Sequence, residues 1–210
     1  MSLAQTNLAF IGGGNMAFAI ISGLLSSSSI PATQIHVSDP FEGSRNKLAD
    51  LGVRTTTSNL EAVKGADVVV LAVKPQVARG VSVELAEGAG WGKGKGKGEG
   101  NEGKVPLVVS IAAGITLSSL TTWLTPSGGN GTPHVVRVMP NTPALVGEGA
   151  SGMFAGEGVT QEEKEKAEGL MKSVSKVVEW VEREELLEVV TGLSGEFLSI
   201  CSAVLCCAVL

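Results

Sequence analysis

The sequence predicts an α/β protein built on a doubly wound parallel sheet. Three observations carry this reading. Short apolar runs alternate with amphipathic stretches along the chain, and the first run ends in a glycine turn that opens a helix. The third is size: 210 residues, 43% of them hydrophobic, can bury roughly 70% of the unfolded chain's surface in one core.

Taken in order, Leu8 to Ile11 reads as a strand, Gly12-Gly13-Gly14 as the turn, and Asn15 to Leu25 as a helix with a polar edge at Ser22. Gln34 to Ser38 follows as a strand, Ser44 to Leu51 as a helix, Val53 to Thr55 as a short strand and Asp67 to Val73 as a near-continuous apolar strand. Pro75 to Ala86 is a helix opened by its proline, Leu107 to Ser110 a strand, Leu117 to Leu124 a helix and His134 to Met139 a strand. Right-handed crossovers then put helices on both faces and a ligand crevice at the carboxyl ends of the strands.

Two stretches stand apart. Gly88 to Lys104, with its Gly-Lys repeats, is expected to be a flexible surface insertion, since glycine and lysine bury too little to offset their ordering entropy. A second soft loop is expected from Ser127 to Thr132. From Glu157 to Glu188, ten Glu face five Lys or Arg, which reads as a solvated helix face.

Composition excludes several function classes. A net charge of -5 provides no basic field for nucleic acid. No apolar run reaches the roughly 18 residues that would span a membrane, at a mean hydropathy of +0.27. Cys201, Cys206 and Cys207 form neither a disulfide framework nor a zinc set, so no metal site is expected. With no targeting segment in Met1 to Asn7, the expected compartment is the cytoplasm. His36 and His134 read as packed or solvated strand residues rather than catalytic ones.

The pattern Gly12-x-Gly14-x-x-Ala17, placed between a strand and a helix, points to a Rossmann-like NAD(P)-binding domain. The first glycine permits the tight turn, the second lets backbone approach a pyrophosphate, and Ala17 allows close helix packing. The helix amides and dipole face the phosphates. Asp39, 25 residues beyond Gly14 at the end of the second strand, stands where a ribose-reading residue belongs. Its carboxylate suits a free 2'-hydroxyl, whereas Ser38, Ser44 and Arg45 suit a 2'-phosphate, so NADH and NADPH both stay open.

Five segments then narrow the reading. They are Phe10-Ile11-Gly12-Gly13-Gly14-Asn15-Met16-Ala17, Leu71-Ala72-Val73-Lys74-Pro75-Gln76, Val109-Ser110-Ile111-Ala112-Ala113-Gly114, Arg137-Val138-Met139-Pro140-Asn141-Thr142-Pro143-Ala144 and Val190-Thr191-Gly192-Leu193-Ser194-Gly195. In this order they resemble the pyrroline-5-carboxylate reductases of proline biosynthesis, over residues 8 to about 195. The resemblance implies an oxidoreductase passing a hydride from NAD(P)H, usually NADPH, to the imine of 1-pyrroline-5-carboxylate to give L-proline. It implies cofactor contacts at Ile11, Gly12, Gly13, Gly14, Asn15, Met16, Asp39, Asn59, Ala72, Val73, Lys74, Pro75, Ile111, Ala112 and Ala113. The family commonly has Ser or Thr where Asp39 stands, which sets the 2'-phosphate contact apart here. No catalytic residue is assigned, because an iminium is already electrophilic and the chemistry is chiefly positioning in a dry cleft. Lys74 is read as a phosphate or carbonyl contact, or as solvent-exposed. Asn141 and Thr142 form a polar turn that borders the nicotinamide or is simply a turn.

In the family, a helical domain that forms a homo-oligomer and grips the substrate follows. This chain is expected to hold the NAD(P)-binding domain at 1–182, the start of a linking helix at 183–195, and an aberrant apolar tail at 196–210. Gly195-Glu196-Phe197 is encodable as GGT GAG TTT, which holds the intron-start hexamer GTGAGT. A translated intron is thus one reading of the tail, which a genomic read lacking that hexamer excludes. The expected chain is then a truncated, inactive form. The competing readings are a non-catalytic dinucleotide-binding module and another Rossmann dehydrogenase, such as a 3-hydroxyacid dehydrogenase. Asn141-Thr142-Pro143 and Thr191 to Gly195 argue against the latter.

Overall fold

A computed structural model describes residues 3–91, 105–128 and 131–187. The chain runs β1 (Leu8–Ile11), α1 (Asn15–Ser26), β2 (Ile35–Ser38), α2 (Glu42–Ala49), β3 (Arg54–Thr56), α3 (Asn59–Ala62) and β4 (Val68–Leu71). It continues through α4 (Pro75–Gly88), β5 (Leu107–Ser110), α5 (Leu117–Leu124), β6 (Val135–Pro140), β7 (Gly149–Ala155), α6 (Gln161–Lys172) and β8 (Ser175–Trp180). The strands make one eight-stranded sheet of order β3-β2-β1-β4-β5-β6-β7-β8.

Strands β1 to β6 pair in parallel as expected, but β7 runs antiparallel to β6. That reversal follows from the connection. Only a short 3-10 turn, Thr142–Val146, separates the two strands, too little chain for the crossover that a parallel partner needs. β8 then pairs with β7 in parallel, across α6.

The strands are buried on both faces, and their side chains alternate between two cores. Leu8 and Phe10 of β1, with Val68 and Val70 of β4 and Val109 of β5, enter one core with α1 and α6. Ala9 and Ile11, with Val69, Leu71 and Val108, enter the other, which Leu85 of α4 and Leu120 of α5 close. Helix α1 buries Ala17, Ile20, Ile21 and Leu24, the i, i+3, i+4, i+7 stripe of one helical face. Burying each of its isoleucines stabilises the fold by about 2 kcal/mol. On the same helix Gly23 lets α1 touch the end of α6: a Cβ there would stand 2.2 Å from the Ser173 carbonyl oxygen.

The charged stretch Glu157 to Glu188 is more than a solvated face. Thr160 opens α6 with a capping box, its hydroxyl accepting from the Glu163 amide while Glu163 accepts from the Thr160 amide. Ala167, Leu170 and Met171 are buried beneath the ion pairs Lys166–Glu162 and Lys172–Glu168, and β8 follows. The expected insertion is also shorter at its start. Gly88 ends α4, and Trp91 is buried in the second core at 4% exposure, because an indole supplies the apolar anchor that the Gly-Lys repeats lack. Residues 92–104 of that insertion, 129–130 of the second loop, and 188–210, with most of the linking helix and all of the tail, lie outside the described residues. Among the described residues no helix is long and apolar enough to cross a membrane, and no His, Cys, Asp and Glu cluster could hold a metal.

Candidate functional site

The carboxyl ends of the central strands lie level. Ser38 pairs with Ile11, Ile11 with Leu71, Leu71 with Ser110 and Ser110 with Arg137, so these five residues form one row across the sheet. The chain leaves β1 toward β2 and β3 on one side and resumes at β4 on the other. This change of direction is a topological switch point, which opens a crevice above the ends of β1 and β4.

Gly12 turns the chain at that point. Its amide donates to the Ser38 carbonyl at 2.8 Å, and the Ala72 amide donates to the Ile11 carbonyl at 2.8 Å. Its φ of +98° and the Ala72 oxygen, 2.7 Å from where a Cβ would sit, admit only glycine. Gly13 is also buried, and its amide donates to Asp39 Oδ2 at 2.7 Å. Gly14 is the N-cap of α1 and has no side chain to cap it. Gly14 is exposed, and a Cβ there would meet nothing within 4 Å; it stands before exposed Asn15 and half-buried Met16, in a first turn whose amides have no intrahelical acceptors.

Asp39 is held at both carboxylate oxygens, since Oδ1 accepts from the Phe41 amide at 2.7 Å. The Arg45 guanidinium donates through NH1 to the carbonyls of Asp39 and Pro40. Asn59, the first residue of α3, accepts from the Ser38 hydroxyl at 2.7 Å and donates to Glu84 of α4 at 2.8 Å. Both ends of its amide are thus positioned, and Glu84 is a site-building residue that no motif announces.

On the other side of the crevice, half-buried Ala72 and Val73 leave β4, exposed Lys74 is the N-cap of α4 and Pro75 its first residue. Ile111 is half-buried, Ala112 buried and Ala113 exposed, all beyond the end of β5. The fifteen expected positions therefore gather at the carboxyl ends of the strands: at the end of β1, on the loops after β1, β2, β4 and β5, and in the first turns of α1, α3 and α4. Asn141 holds the turn after β6. Its Oδ1 accepts from the Ala150 amide at 2.9 Å and its own amide donates to the Ala150 carbonyl at 3.1 Å. These bonds pin the turn between β6 and β7, while Thr142 is exposed.

Residues 7–93 match a family model described as NADP oxidoreductase coenzyme F420-dependent. Over 195 residues the chain is 42% identical to the pyrroline-5-carboxylate reductase of Pseudomonas aeruginosa, matching 92% of this chain and 64% of that protein. The reductase of Haemophilus influenzae is 43% identical over 188 residues, 90% of this chain and 62% of the relative. The chain thus spans just under two thirds of the length of these curated relatives. Among solved structures, a pyrroline-5-carboxylate reductase from Coxiella burnetii superposes with a TM-score of 0.79 at 34% identity, covering 95% of this chain and 67% of that one. With sequence and fold agreeing over nine-tenths of its length, the chain belongs to the pyrroline-5-carboxylate reductase family.

Proposed function

We propose that residues 1–182 are the dinucleotide-binding part of a reductase that converts 1-pyrroline-5-carboxylate to proline. The observation that carries this reading is the open α1 amino terminus behind Gly12, at the switch point of the sheet. A cradle that a Cβ at Gly12 would destroy, beside a Gly14 with empty space before it, fits a pyrophosphate.

When bound, NAD(P)H supplies a hydride to the imine carbon while solvent supplies the proton on nitrogen. The chain's own residues bind and orient. Backbone from Ile11 to Met16 receives the phosphates, Asp39 and Asn59 the adenosine side, and Ala72 to Pro75 with Ile111 to Ala113 the nicotinamide side. Ala72, Val73, Ile111 and Ala112 give that end an apolar wall, which excludes water from the path of the hydride. Lys74, at the mouth, attracts an anionic partner without a covalent step. The substrate-gripping groups and a second copy of the chain belong, in this reading, to the part of the relatives that lies beyond the match.

The test is to mix the chain with NADH or NADPH and 1-pyrroline-5-carboxylate and to follow the reduced-nicotinamide absorbance, with binding measured separately by calorimetry. Loss of the band only when substrate is present supports the full reading. Binding without oxidation restricts this chain to dinucleotide binding, and absence of binding overturns the proposal.

A further inference from the structure

We propose that this site takes NADH in preference to NADPH, with Asp39 as the discriminating group and the Phe41 ring as the platform for the adenine. The inference rests on the dinucleotide reading above and adds to it which dinucleotide is chosen and by what.

Asp39 does not swing freely. The Gly13 amide holds Oδ2 and the Phe41 amide holds Oδ1, each at 2.7 Å. The carboxylate is thereby tied to the same glycine turn that would carry the pyrophosphate, at the carboxyl end of β2. An ionised carboxylate has about four acceptor positions, of which these two amides use two. It can therefore accept from the two vicinal hydroxyls of an adenosine ribose without giving up either backbone bond. A 2'-phosphate offers the reverse: acceptor oxygens and a charge of roughly -1.5 to -2 set against a fixed negative group.

Of the three residues suited to a 2'-phosphate, Ser38 and Arg45 already hold bonds to the protein, which leaves half-buried Ser44. Ser38 is buried, and its hydroxyl donates to Asn59. Arg45 is bound through NH1 to two main-chain carbonyls of the turn. NH1 is thus committed to shaping the β2–α2 connection, which fixes where the guanidinium sits.

Phe41 provides the second contact. It is the N-cap of α2 and is 69% exposed, the most open aromatic side chain among the described residues. Its ring is nevertheless placed, because it lies over Gly43, where a Cβ would stand 2.7 Å from the ring. The adenine is attached to the ribose carbon next to the 2'-position. A flat apolar ring two residues from the ribose reader is therefore within reach of the base, and stacking accepts any base face.

Calorimetric titration of the full chain with NADH and with NADPH, for the native protein and for Asp39→Asn, Asp39→Ser, Phe41→Ala and Phe41→Trp, tests both parts. NADH is expected to bind on the order of tenfold tighter or more. Asp39→Asn and Asp39→Ser are expected to narrow that ratio, chiefly by raising affinity for NADPH. Should Asp39→Ser fail to fold in a circular dichroism melt, Asp39→Asn, which keeps the shape and removes the charge, decides. Phe41→Ala is expected to weaken both dinucleotides by about fivefold or more, with Phe41→Trp retaining affinity. Equal binding, tighter NADPH binding, or a ratio unmoved by both Asp39 variants overturns the selectivity while leaving the dinucleotide reading intact. Unchanged affinity in Phe41→Ala overturns the platform. No binding of either dinucleotide overturns the underlying function instead.

Discussion

Arg137, buried in β6, and Glu184, four residues beyond the end of β8, form an ion pair through NH1 and Oε1. The same carboxylate oxygen accepts from the Leu117 amide at 2.5 Å, in the first turn of α5. One side chain thereby fastens the segment after the last strand to both the sheet and a helix. Glu184→Ala is expected to destabilise the chain by about 2 kcal/mol, the usual loss for a hydrogen bond to a charged group. Urea denaturation measures it, and a change below about 0.5 kcal/mol would show the pair to be no more than a surface bridge.

Gly12 and Gly14 separate folding from binding. Gly12→Ala meets the Ala72 carbonyl at a positive φ and is expected to cost about 3 kcal/mol or more. Gly14→Ala, whose Cβ meets nothing, is expected to cost about 1 kcal/mol or less as a poorer N-cap, yet to weaken dinucleotide binding by placing a methyl before α1. Thermal melts paired with NADH titrations check this. An unchanged affinity in Gly14→Ala counts against the proposed phosphate position.

His36 sits buried in β2 beside Arg54, its register partner in β3. Burial first, and then the Arg54 charge, lower its pKa, opposed weakly by Glu61. The folded state therefore resists protonation more than the unfolded chain. Its contribution is complete above about pH 6.5, the ordinary value, and is lost as pH falls from there toward the folded-state value. His36→Gln should flatten the stability profile across that window, as followed by melting temperature. An identical profile in the variant would assign the pH dependence to other groups.

Glu163 works in the more acidic range. Partial burial pushes its pKa up, but the Thr160 amide, His134 and the Thr160 hydroxyl together outweigh that and hold it below the ordinary carboxylate value. Stability drawn from it is present above the ordinary value and is lost as pH falls through the lowered one. Thr160→Ala, which removes the hydroxyl of the capping box, is expected to cost about 1 kcal/mol near neutral pH. Chemical denaturation of both proteins gives the difference directly, and a cost near zero would mean that Glu163 and His134 hold the helix start unaided.

Those parts of the fold that single segments determine were legible. The boundaries of β1, β5 and α5 agree with the expected Leu8 to Ile11, Leu107 to Ser110 and Leu117 to Leu124, each a short apolar-rich run, the first closed by the glycine turn. β7 and β8 escaped notice. Gly149, Gly152 and Ala150 blur the alternation of the first, and the surrounding glutamates and lysines mask the second. The start of α6 did carry a signal, Thr160 three residues before Glu163, which the charge count obscured. At the site, the glycine turn and Asp39 were readable because backbone geometry demands them. The Asn59–Glu84 and Arg137–Glu184 contacts were not, since they join side chains 25 and 47 residues apart through a fold that local pattern does not encode.

The strand order also sets a timetable for synthesis. β1 lies between β2 and β4, so both neighbours of the first strand have been made once Leu71 leaves the ribosome. Four strands in the order β3-β2-β1-β4, with α1 to α3, are then free to close before the rest is translated, as domains fold from the amino terminus during synthesis. Each later parallel strand, β5 and then β6, adds to an edge that already exists. The nascent chain thus meets its longest sequence separations one edge at a time.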